Sequence, residues 1–169
     1  MPEAFEQALK RTLAHEGGFV DDADDPGGAT NKGISLRFYR QWINADATPD
    51  DIRNLTDADI RQLYLQQFWL KGGYDKIADP SLAAKAFDLA VNMGPHQAHL
   101  CLQRALRACG FTLDQDGVIG PATLNAIDAA DPLMLLAALR SEAAGFYRLL
   151  AATGKRSKYL TGWLTRAYS

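Results

Sequence analysis

The residue best placed to do chemistry is Glu16. Phe5, Ala8, Leu9, Thr12, Leu13 and Glu16 recur at i, i+3, i+4, i+7, i+8 and i+11, so a carboxyl continues the buried face of a first helix. The same spacing puts it in the last helical turn, where the negative end of the helix dipole disfavours an anion. Burial and dipole both favour the protonated form of a carboxyl, the condition for a general acid near neutral pH. Gly17-Gly18 ends the helix and leaves room for a ligand to approach the backbone. The competing reading is that Glu16 turns to solvent as the helix frays, or pairs with an arginine. Asp25 follows Glu16 by nine positions and Thr30 by fourteen. Cleaving a glycosidic bond takes one protonated acid and a second group that activates water or stabilises an oxocarbenium ion. Glu16, Asp25 and Thr30 are of the types to supply both. Asp21, Asp22 and Asp24 read as solubility and turn residues, and Asp25-Pro26-Gly27 also has the form of a turn. Asn31 and Lys32 are candidates to line a cleft beside Gly17 and Gly18, with a turn role as the alternative.

The elements that must position these residues are helical. Ser35 caps a helix through Asn44, Thr48-Pro49 starts a short turn, and Thr56 with Asp59 forms an acidic capping box. The helix it opens carries Ile60, Leu63, Tyr64, Gln67 and Phe68 on one face and ends at Gly72-Gly73. Ala83, Ala86, Phe87, Ala90 and Val91 form the next stripe, stopped by Gly94-Pro95. Ala98, Cys101, Leu102, Ala105, Leu106 and Cys109 form another, ended by Gly110. Pro121 starts a helix, Asp131-Pro132 opens a long one to about Leu150, and the last carries Leu160, Trp163, Leu164 and Ala167. Short extended pieces occur only in the loop after Gly18. The expected fold is an all-α globule with one small β-hairpin after the first helix. Its best internal seam is Gly94-Pro95, dividing residues 1–94, which hold the candidate acid, from a helical region 95–169.

The chain has 169 residues, 47% apolar and 22% charged, values that exclude disorder and permit a buried core. No window approaches the ~18 apolar residues of a membrane span. Residues 132–169 hold 6 Lys+Arg against 1 Asp+Glu, while the rest of the chain holds 12 against 19. That polarity can orient a protein on an anionic polymer, but the basic residues form no run of the kind that binds nucleic acid.

Asp114-x-Asp116-Gly117 has the look of a calcium loop. With Gly117 at position six, however, Thr112 and Thr123 stand where the first aspartate and the bidentate glutamate belong. His15, His96 and His99 lack a third ligand and read as no zinc site. Cys101 and Cys109, roughly 12 Å apart along one helix, are too distant for a disulfide and read as core thiols. Tyr39, Trp42, Trp69, Tyr74 and Trp163 are of the type that stacks on sugars, yet at helical spacing most belong in a core.

His15-Glu16-Gly17-Gly18-Phe19-Val20, with Asp25-Pro26-Gly27-Gly28-Ala29-Thr30-Asn31-Lys32-Gly33-Ile34 behind it, resembles the N-terminal signature of glycoside hydrolase family 108. These are N-acetylmuramidases found as phage-type endolysins and secretion-associated lysozymes. The resemblance implies a lysozyme-like fold with Glu16 catalytic, a muramidase catalytic region 1–94 and a helical peptidoglycan-binding region 95–169 packed against it. The spacing to Asp25 and Thr30 is similar to the Glu–Asp–Thr triad of phage-type lysozymes, except that the Asp-to-Thr interval is one residue shorter here. The second half resembles the peptidoglycan-binding region that follows in the family, through Asn92-Met93-Gly94-Pro95, Leu102-Gln103-Arg104-Ala105-Leu106, Asp116-Gly117-Val118-Ile119-Gly120-Pro121 with Thr123, and Gly162-Trp163-Leu164 with Arg166.

The implied reaction cleaves the β-1,4 bond between N-acetylmuramic acid and N-acetylglucosamine, with peptidoglycan glycan strands as partner and no metal or organic cofactor. A lytic transglycosylase and a non-catalytic wall-binding module are the alternatives. The first residues, MPEAFEQALKR, lack the basic and apolar regions of a signal peptide. The expectation is therefore a monomer made in the cytoplasm that acts in the periplasm or cell wall after holin-like release, without inserting in a membrane.

Overall fold

Capping chemistry decides where the short helices of the first half of the chain begin. In the computed structural model, which describes residues 2–21, 27–152 and 156–169, Ser35 Oγ accepts from the Phe38 amide and opens α2 (Leu36–Trp42). Thr48 and Asp51 cap each other reciprocally at α3 (Pro49–Arg53), and Thr56 and Asp59 do the same at α4 (Asp57–Leu63). Ahead of them lie α1 (Pro2–Leu13) and a two-stranded antiparallel hairpin, β1 (Thr30–Asn31) and β2 (Ile34–Ser35). Its turn residues, Lys32 and Gly33, both have positive φ, 46° and 81°, as a tight two-residue hairpin requires. The α2 helix stops at Trp42, two residues short of the Asn44 that the sequence suggests.

The chain leaves α4 through a π-helical stretch, Tyr64–Leu70. Sequence periodicity predicts an ordinary helix with Tyr64, Gln67 and Phe68 on the buried face. The wider winding instead brings Tyr64 and Trp69, five apart, into the core and leaves Phe68 and Gln67 only partly covered. Phe5, Tyr64, Trp69 and Tyr74 all meet Phe87 nearly edge-on, with ring centroids 5.5–6.2 Å away. Each such pair contributes roughly 0.5–1.5 kcal/mol beyond the area it buries.

Phe87 belongs to α5 (Pro80–Met93), which is capped by Asp79 and buried continuously from Leu82 to Ala90. The helices α1, α6 (Pro95–Ala108) and α8 (Pro132–Ala152) pack on it, and α9 (Leu160–Tyr168) packs on α8. The helix α7 (Pro121–Ala129) closes one end against α6. One buried cluster runs from Phe5 through Phe87 to Leu106, Leu139 and Ala167, so both halves of the chain share a core. A smaller one, Ala29, Leu36, Ala47 and Ile52, lies under the hairpin. The fold is all-α with one small hairpin, and among the described residues no helix is long and apolar enough to cross a membrane.

The seam between the halves is closed by His99. Its Nδ1 lies 2.9 Å from the Gly117 carbonyl and its Nε2 lies 2.8 Å from the Tyr74 hydroxyl. A carbonyl only accepts, so Nδ1 donates and Nε2 accepts from Tyr74; burial, which pushes the His99 pKa down, keeps the ring in this neutral form. The Asp116-Gly117 loop is organised by a buried amide. Gln103 Nε2 donates to Asp116 Oδ1 at 2.7 Å, and Gln103 Oε1 accepts from the Gly117 amide at 2.9 Å. Among the described residues no group of three or more His, Cys, Asp or Glu is arranged to hold a metal. Cys101 is buried, Cys109 is partly buried, and both are free thiols.

Candidate active site

Glu16 is held at the meeting point of four elements. The helix α1 ends three residues before it, and the chain then tightens: the amides of His15 and Glu16 donate to the carbonyls of Thr12 and Leu13, at 3.0 and 3.2 Å. The expectation that Glu16 lies in the last helical turn is thus corrected, and the dipole argument loses its premise. Burial does apply in part, since the side chain is 19% exposed. What decides its electrostatics is a cation from the far end of the chain. Arg166 Nη2, on α9, lies 2.9 Å from Glu16 Oε1, so the arginine-pairing alternative is the one realised.

Arg166 is itself buried and serves two carboxylates. Its Nε and Nη2 donate to Asp88 on α5 at 2.9–3.2 Å, in the forked geometry that suits guanidinium and carboxylate. Burial works against the Arg166 charge, but Asp88 and then Glu16 outweigh it and hold its pKa above the usual value. Lys85, one turn before Asp88, donates to the Arg166 carbonyl at 2.7 Å and stands 3.9 Å from Asp88 Oδ2. Two cations and two carboxylates are therefore stitched together across α5, α9 and the end of α1.

Burial pulls the Lys85 pKa down to about 8, against an ordinary value of 10.5, although Asp88 opposes the shift. Between those limits the unfolded chain carries a proton that the folded chain has released, so this group makes stability rise with pH. From pH 7 to pH 9 the wild type is expected to gain about 1 kcal/mol relative to Lys85→Met. Parallel urea unfolding at both pH values checks this, and a gap that stays constant would refute it.

The other side of Glu16 is covered by the hairpin turn. The Tyr64 hydroxyl, from the π-helical stretch, donates to the Lys32 carbonyl at 2.9 Å. Burial, and then the Glu16 charge, raise the Tyr64 pKa far enough to keep it a donor. A Cβ on Gly33 would sit 2.3 Å from that hydroxyl and 3.1 Å from Glu16 Oε2, so the turn closes over the carboxylate only because residue 33 is glycine. Oε1 is therefore the anchored oxygen, and Oε2 faces the turn. Gly17 and Gly18 are exposed, and among the described residues nothing lies within 4 Å of a Cβ placed on either.

The remaining candidates occupy varied places. Thr30 Oγ1 donates to the Gly28 carbonyl at 3.2 Å within its own loop. Asn31 is buried, its amide donating to the Ile52 carbonyl at 3.0 Å, which ties the hairpin to α3. Lys32 is ion-paired with Asp57 at the surface. Asp25 lies outside the described residues. Of the aromatics, Trp69 and Tyr74 are core and Tyr39 is partly buried, while Trp163 stacks on Tyr147 at 5.5 Å. Trp42 is 50% exposed, with the Lys71 ammonium 3.8 Å from its ring centroid. It lines a groove of about 600 Å³ that also takes in Phe68 and, across the seam, Val118.

Sequence reasoning did not assign Arg166, Asp88, Lys85 or Tyr64 to the site. A signal was present for two of them. In PSLAAKAFDLAVNM, Lys85 and Asp88 are the only charges in an otherwise apolar run, and charges three apart inside a buried helix must find partners. Nothing local pairs them with residue 166.

Residues 9–94 match the family described as Glycosyl hydrolase 108, and residues 97–168 match one described as Predicted Peptidoglycan domain. Among solved structures, the chain is similar to SagA of Brucella abortus, at 28% identity and a TM-score of 0.83, covering 99% of this chain and 91% of that one. No curated protein sequence gives a match.

Proposed function

From the premise that the chain belongs to glycosyl hydrolase family 108, and is a lysozyme-type glycoside hydrolase acting on peptidoglycan, we propose that it cleaves the β-1,4 bond between N-acetylmuramic acid and N-acetylglucosamine, with Glu16 as the general acid. The observation that carries this reading is the Glu16 carboxylate: largely buried, anchored at one oxygen by Arg166, its other oxygen turned to the hairpin, with open space at Gly17 and Gly18 among the described residues. In the proposed reaction the C1–O bond breaks as a proton passes from Glu16 to the leaving oxygen, and Glu16 is left as a carboxylate. Water then bonds through its oxygen to C1 and returns one proton to the protein, so the net reaction consumes one water. Asp25 and Thr30 position that water or stabilise the positive charge at C1. Region 1–94 carries the chemistry and region 95–169 holds the glycan strand. The enzyme acts as a monomer in the periplasm or cell wall, reached by holin-type release.

Digestion of purified peptidoglycan, borohydride reduction and mass spectrometry test this directly. Muropeptides ending in reduced muramic acid are the expected products. Anhydro-muramic ends would move the enzyme to the lytic transglycosylases. Reduced glucosamine ends would reverse the bond specificity, and wall binding without release would leave only a binding module.

A further inference from the structure

We infer that Arg166 is a positioning residue for Glu16, so that the last helix of the peptidoglycan-binding half is part of the catalytic unit. The inference rests on the general-acid reading of Glu16 and deepens it. Three observations lead to it. Arg166 is 7% exposed and contacts Glu16 Oε1 at 2.9 Å, so the contact is buried rather than a loose surface pair. The guanidinium cannot swing, because Asp88 holds its Nε and Nη2 and Lys85 holds its backbone carbonyl. The contact reaches only one oxygen, leaving Oε2, beside Gly33, to carry the proton that is transferred.

Chemically, such a cation does two things. It fixes the rotamer of the acid, and misplacing a reacting group by about 1 Å costs on the order of 100-fold in rate. It also stabilises the carboxylate that appears on Glu16 as the proton leaves, so the charge is favoured where the reaction creates it. Glu16 is faced by Arg166 from α9 and Tyr64 from the π-helical stretch, with Asp88 and Lys85 on α5 behind the arginine and Tyr147 on α8 within electrostatic reach. Burial raises both tyrosines well above neutral pH, which leaves Arg166 as the permanent cation in contact with the acid.

The test uses the full chain on soluble, uncrosslinked glycan strands, so that wall attachment does not limit the rate. Folding is checked by circular dichroism, and wall binding by co-sedimentation. Arg166→Met is expected to lower kcat about 100-fold with KM nearly unchanged and co-sedimentation retained. A carboxyl that loses a neighbouring cation keeps its proton to higher pH, so the alkaline limb of the pH–rate profile moves upward. Arg166→Lys, which restores charge without the fork, should recover part of the rate and part of the shift. If Arg166→Met does not fold, Arg166→Lys carries the test through a loss of about 10-fold together with a displaced alkaline limb.

A folded variant with wild-type kcat and an unmoved limb overturns the inference. So does a loss that multiplies onto that of Glu16→Gln in the double variant, because Arg166 would then not act through Glu16. Failure of the general-acid reading is told apart by Glu16→Gln alone: if that variant keeps full activity, the premise itself has gone.

Discussion

Glu16→Gln is expected to reduce peptidoglycan cleavage by about 10²–10⁴-fold, the usual contribution of a positioned general acid, while the protein stays folded. Glutamine has the same shape and still accepts a hydrogen bond from Arg166 through its amide oxygen, but it has no proton to give. Arg166 also keeps its forked pair with Asp88, so it is not left as a buried charge without a carboxylate. The loss should lie in kcat, with KM and wall co-sedimentation close to wild type. Turbidity clearing of purified walls, with thermal melting of both proteins, is the measurement. Unchanged clearing by a folded variant would remove Glu16 from the chemistry and return attention to Asp25.

The largest effect on stability should come from Asp88→Asn. Asp88 is 8% exposed in its side chain, accepts two donors of Arg166 and lies 3.9 Å from the Lys85 ammonium. The substitution is nearly isosteric, so packing survives, yet it removes the carboxylate shared by two buried cations. Breaking a buried ion pair from one side costs about 3–5 kcal/mol, because the partner's charge remains in the protein. In a domain of this size that corresponds to a fall in Tm of roughly 10 °C. A fall of less than about 2 °C would mean that water reaches Lys85 and Arg166 and that the network is not desolvated. Because α5 lies mid-chain and α9 is the last helix, the contact is long-range in sequence, and the variant should also unfold faster when α9 docks late in folding.

Local chemistry made much of this molecule legible in advance. Ser35, Thr48 and Thr56 cap helices where their side chains can reach the amides ahead of them, and Gly94-Pro95 separates α5 from α6 because few residues other than glycine accept a φ of 87°. Glu16 stood out because a carboxyl in an apolar stripe is expensive unless it has a use or a partner. The long motif around it, from His15 to Ile34, pointed to the same family that residues 9–94 match. These are statements about neighbours within a few residues, where sequence separation and spatial separation coincide.

What lay beyond reach was decided between residues far apart in the chain. The winding of Tyr64–Leu70 follows from which rings fit against Phe87, so a fixed period of 3.6 mistook Phe68 for the buried residue in place of Trp69. The partner of Glu16 is Arg166, and only the packing of α9 against α8, with Lys85 and Asp88 beneath it, brings that cation to the end of α1. By itself the sequence determined the all-α class, several helix starts and the break between α5 and α6, because each rests on local backbone and capping energetics, and it singled out Glu16 as the candidate acid. The charge environment of that acid was left to the tertiary structure, because Coulombic and hydrogen-bond energies depend on distance in space and are indifferent to position along the chain.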